Sequence, residues 1–115
     1  MKDQLYLLRP GFMNAGMGPL YCRDSAPVEG MLSFFPQLRK LVEIHYLEFP
    51  RPRVPLARAL GEQHQSLPVL ILAPRRKLKD EELEPSRANG KSFFTDEGSI
   101  RRYLSTQYGL PQASD

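Results

Sequence analysis

The chain has one cysteine, no tryptophan and two histidines. A single cysteine excludes an internal disulfide, so packing alone must hold the fold. One cysteine and two distant histidines do not make a zinc pattern, and no metal site is expected. No apolar run approaches the ~20 residues that a membrane helix requires, so no membrane partner is expected. The first residues are polar, and Leu5-Tyr6-Leu7-Leu8 is too short for a secretory leader; the expected location is the cytoplasm. Charge of one sign is also scarce. Sixteen Lys and Arg against thirteen Asp and Glu leave a net +3. The one basic cluster, Arg75-Arg76-Lys77-Leu78-Lys79, is followed at once by Asp80-Glu81-Glu82. That pattern describes a solvated, self-compensating segment, and nucleic acid is not an expected partner.

What remains is a soluble composition, 41% hydrophobic and 25% charged, in 115 residues. That length fits one domain spanning residues 1–115 with its own core. Leu5-Tyr6-Leu7-Leu8, stopped by Pro10-Gly11, reads as a buried strand. Residues 9–21, rich in Gly, Pro and Asn, read as a loop. Val28, Met31, Leu32 and Phe35 share one helical face, with Ser25 as the expected cap and Pro27 just inside the start. Pro36 should kink or end that helix, with residues 37–41 as a final turn. Residues 42–49 (VEIHYLEF) alternate as a strand, and residues 55–60 form a short helix closed by Gly61. Val69-Leu70-Ile71-Leu72 is apolar on both faces, as a central strand must be. Residues 75–91 form a charged insertion with a helical turn near residues 80–83, and Asn89-Gly90 marks a tight turn. Residues 92–95 read as the last strand. A final helix begins near Thr95 or Asp96, with Ile100, Tyr103, Leu104 and Tyr108 inward. The order is βαβ, a short helix, then ββα, which predicts an α/β sandwich on a four-stranded mixed sheet flanked by helices.

Chemistry concentrates at Tyr21-Cys22-Arg23-Asp24-Ser25, where the cysteine stands at a helix start. Unpaired N–H groups and the positive end of the helix dipole favour a thiolate there. Arg23 adds to that field, Asp24 opposes it, and Ser25 can donate to the sulfur. Arg51 and Arg53 flank Pro52 in a stiff loop that can meet an anion, although a solvated loop is the simpler reading. His64, four residues before Pro68, is a candidate base; His45 reads as a strand residue.

The element order, Cys22-x-x-Ser25 at the first helix and Leu67-Pro68-Val69-Leu70 before a strand resemble the thioredoxin-like superfamily. Glutaredoxins and the N-terminal domains of glutathione transferases are the nearest branches. The resemblance implies a thioredoxin-like fold with Cys22 as nucleophile, Ser25 in the resolving position and Pro68 as a cis-proline facing the thiol. It also implies glutathione binding by the Leu67 backbone beside Pro68 and by Asp96, Glu97 and Ser99, although those last three can equally serve as an ordinary helix cap; Arg23, by its charge, is a further candidate contact for the ligand. More narrowly, "VEGMLSFFPQLR", "FPRPR" and "LGEQHQSLPVLIL" are similar to a bacterial family of small proteins of unknown function, domain-of-unknown-function family 3088. Ser25 departs from a dithiol motif, and Arg23-Asp24 departs from the small or apolar pair usual between the two positions.

The implied activity is monothiol, glutathione-dependent thiol–disulfide exchange through Cys22, with glutathione as co-substrate and no tightly bound cofactor. The partner would be glutathione or a peptide or protein thiol, acting on a monomer or homodimer. The alternative is a non-catalytic module that binds a partner in the groove beside Pro68.

Overall fold

The computed structural model describes residues 1–114. Its elements in chain order are β1 (Asp3–Leu8), β2 (Phe12–Asn14), β3 (Met17–Leu20), α1 (Ser25–Phe34), α2 (Leu38–Leu41) and β4 (Val42–Leu47). They continue with α3 (Val54–Leu60), β5 (Val69–Ile71), β6 (Ser86–Ala88), β7 (Lys91–Phe94) and α4 (Glu97–Gln107). The main sheet has five strands in the order β4-β1-β5-β7-β6. β1 runs parallel to β4, with Leu5 opposite Ile44, and antiparallel to β5, with Leu5 opposite Leu70. β5 to β7 and β7 to β6 are also antiparallel.

The two-sided apolar pattern of β5 explains the layering. Leu70 and Leu72 pack on one face with Leu5 and Leu7, under Val28 and Leu32 of α1 and Ile100, Tyr103 and Leu104 of α4. Val69 and Ile71 pack on the other face with Leu56 and Leu60 of α3 and with Phe93. The sheet is therefore the middle of three layers, and each buried Leu or Ile contributes about 1.5–3 kcal/mol of transfer free energy.

Several local expectations hold. Pro27 is the third residue of α1 and breaks no helical bond there. α1 stops at Phe34, just ahead of the Phe35-Pro36 step. Gly61 follows α3, and Asp96 caps α4 by accepting the Ser99 N–H at 2.9 Å. Asn89 and Gly90 both take positive φ, +53° and +75°, as a two-residue hairpin turn demands.

Other expectations are corrected. The main sheet has five strands rather than four, because part of the charged insertion, β6, pairs with β7 across the Asn89-Gly90 turn. The turn expected near residues 80–83 is present as a single turn, closed by Leu83 N–H to the Asp80 carbonyl. Residues 9–21 are not a plain loop: β2 and β3 form a separate two-stranded hairpin, with Phe12 opposite Leu20. Ser25 does not cap α1 with its side chain; its hydroxyl is engaged elsewhere.

Candidate functional site

Cys22 lies between the β2–β3 hairpin and α1, half-buried. Its carbonyl accepts the Ala26 N–H at 3.1 Å, so helical hydrogen bonding begins at the cysteine. The Ser25 N–H points at Cys22 Sγ, at 3.4 Å. On the other side Sγ faces the Leu67 carbonyl oxygen at 3.9 Å, a long contact for a thiol donor. The two contacts suit the two protonation states: the carbonyl accepts from S–H, and the amide donates to S⁻. Leu67-Pro68 is a cis peptide bond, and it leads directly into β5.

Ser25 reaches the site through its backbone. Its buried hydroxyl accepts the Leu8 N–H at 3.2 Å, which ties the start of α1 to the end of β1. Arg23 does not turn inward: its side chain is 94% exposed, and its nearest charge is Asp24 at 4.0 Å. Asp96 and Ser99 cap α4, with Ser99 N–H and Oγ both on Asp96 Oδ2. Glu97 is bound by Arg101, Nε to Oε2 at 2.6 Å. None of these three lines the groove beside Cys22. His64 packs edge-on to Phe93 in a different groove. His45 stacks on Tyr6 and meets Gln4 at 2.7 Å.

The groove beside Cys22 has a volume of about 240 Å³. Leu7, Leu8 and Tyr21 give it apolar walls, and Glu29 and Tyr46 form a polar end. Tyr46 OH donates to Glu29 Oε1, and Arg39 Nη2 donates to Glu29 Oε2 at 2.8 Å. Burial raises the Tyr46 hydroxyl above its ordinary pKa; the Arg39 bond opposes this and Glu29 adds to it. Sequence reasoning missed this end. The signal was spacing: Glu29 stands four residues after Ser25 and seven after Cys22, on the same helical face.

Arg53 was noted as a loop cation, yet it is buried. Nη1 donates to the Gln65 carbonyl at 2.8 Å and Nη2 to the Phe49 carbonyl at 2.7 Å. Phe49 in turn stacks on Phe12 of the hairpin at 4.5 Å. Hairpin, Arg53 loop and the segment carrying Leu67 are thus packed together around the thiol. Arg51, in contrast, stays exposed.

Among the described residues no group of three His, Cys, Asp or Glu is placed to hold a metal ion, and no helix is long and apolar enough to cross a membrane.

A chain with an α/β sandwich of this order and one thiol at a helix start defines a class of site more than an activity. Residues 2–112 match the family described as "Protein of unknown function (DUF3088)", and the chain belongs to that family. No curated protein and no solved structure matches it.

Proposed function

We propose that the chain is a thioredoxin-fold protein that carries out monothiol, glutathione-dependent thiol–disulfide exchange through Cys22. One observation carries the reading: a half-buried Sγ held by the Ser25 N–H, opposite the Leu67 carbonyl. The strand order β4-β1-β5-β7, with β1 and β4 parallel and the rest antiparallel, agrees with it. β6 and the β2–β3 hairpin are then additions to that frame.

In the proposed cycle the Cys22 thiolate attacks the glutathionyl sulfur of a mixed disulfide. A Cys22–glutathione disulfide forms, and the substrate thiolate leaves and takes up a proton. A second glutathione thiolate attacks the glutathionyl sulfur, which returns Cys22 thiolate and releases oxidised glutathione. Glutathione is the two-electron reductant, and one cysteine suffices. Ser25 contributes its N–H, and the Leu67 backbone lies within reach of a bound peptide. A reducing cytoplasm would supply the glutathione.

The test is turnover of a glutathionylated peptide with reduced glutathione, coupled to glutathione reductase and followed by NADPH loss. Turnover is expected in the unsubstituted chain, absent in Cys22→Ser, and retained in Ser25→Ala. A rate no greater than the uncatalysed exchange would end the proposal.

A second reading has its own support. Residues 10–21 carry no charged side chain, and Met13, Met17 and Tyr21 are exposed there. An apolar hairpin beside the thiol suits a non-catalytic binding module, next to Pro68, that would keep its partner in Cys22→Ser.

A further inference from the structure

Arg53 is only 8% exposed, and its acceptors are neutral carbonyls. No salt bridge among the described residues includes it. Its Nε is buried without a hydrogen-bond partner among the described residues. A guanidinium taken out of water ordinarily has an anion beside it, because the desolvation cost is several kcal/mol. Burial, and then the like charge of Arg51, pull Arg53 below its ordinary pKa; the group that pushes it back is Cys22.

The mechanical link is equally direct. Arg53 N–H donates to Gln65 Oε1 while Arg53 Nη1 donates to the Gln65 carbonyl, so the two residues are clasped by two bonds, both donated by Arg53. Gln65 Nε2 is itself anchored on the Glu62 carbonyl. Two residues beyond Gln65 is Leu67, whose carbonyl faces Sγ.

We infer that Arg53 is a positioning residue for Cys22: clasped to Gln65, it fixes the segment opposite the sulfur and lends the site a buried positive charge that no carboxylate among the described residues cancels. The inference rests on Cys22 being a reactive thiol. It adds which residue holds negative charge at the sulfur, a role the helix-side Arg23 does not fill.

The experiment compares alkylation of Cys22 by neutral iodoacetamide and anionic iodoacetate at one fixed, near-neutral pH, read by intact mass. A merely structural Arg53 would move both rates together; a fixed cation favours the anionic reagent. Arg53→Met is expected to slow both reactions and to lower the iodoacetate-to-iodoacetamide ratio at least about threefold, the scale of a screened charge pair. Arg53→Lys should restore most of that ratio. If Arg53→Met does not fold, Arg53→Gln, which keeps an amide donor for the Gln65 carbonyl, carries the same comparison. An unchanged ratio in a folded neutral variant overturns the inference and leaves the thiol reading standing. A Cys22 that resists both reagents and oxidised glutathione in the unsubstituted chain overturns both.

Discussion

Two buried charges sit at opposite ends of β1, and the chain treats them differently. Asp3, at the start of the strand, is fully buried and surrounded by donors. Oδ1 accepts from Ala73 N–H at 2.8 Å and from Arg76 at 3.1 Å, and Oδ2 accepts from Tyr103 OH and from Tyr108 OH at 2.7 Å. Arg53, in the loop clasped to the segment that faces the thiol, has two carbonyls and, among the described residues, an orphaned Nε and no counter-ion. A satisfied buried charge rigidifies the fold; an unsatisfied one is tolerated where it does something else. Asp3 belongs to the first kind. It stitches β1 to α4 and to the segment after β5.

That contrast is sharpest in stability. Asp3→Ala removes the acceptor from Arg76, from the Ala73 N–H and from two tyrosine hydroxyls, and should cost about 3–5 kcal/mol in urea unfolding. Cys22 in the remaining folded fraction should react as before. A cost under about 1 kcal/mol would mean that the network is decoration.

The next effect is alkaline. Burial, followed by the Asp3 carboxylate, raises both Tyr103 and Tyr108 well above the ordinary phenol pKa. A raised folded-state pKa gives stability that is complete below the unfolded value and is lost as pH climbs beyond it. Stability should thus begin to fall above about pH 10, by up to about 1.4 kcal/mol per pH unit for each tyrosine. Tyr103→Phe should flatten that slope. A stability curve level through this range would contradict the network.

Arg53→Met should cost less than Asp3→Ala, within about 2 kcal/mol, because removing an uncompensated cation offsets the two lost hydrogen bonds. Equal costs at the two ends would erase the distinction. The smallest stability change belongs to Cys22→Ser, within about 0.5 kcal/mol in the same unfolding assay. That substitution nevertheless removes all exchange chemistry in the proposed reading.

The fold was largely legible because its strands and helices carry strong periodicity. Leu5-Leu7-Leu8, Val69 to Leu72 and the Val28-Met31-Leu32 stripe all sit where their spacing puts them. The β2–β3 hairpin was not legible: it is mostly exposed, and Gly and Pro interrupt any alternation. β6 (SRA) is a short polar edge strand whose one signal is the Asn-Gly turn after it. At the site, the Leu67 carbonyl stands 3.9 Å from Cys22 Sγ. Ser25 arrives through its N–H, a backbone role its side chain does not announce. Arg51-Pro52-Arg53 reads as a solvated loop because sequence cannot say which of two arginines turns inward. The partner that decides it, Gln65, is twelve residues away.

The most direct measurement is the intact mass of the chain after incubation with oxidised glutathione and then with reduced glutathione. One glutathione adduct per chain, absent in Cys22→Ser and removed by reduced glutathione, is the expected result. A chain that takes up no glutathione while its thiol alkylates freely would contradict the account and favour the binding module.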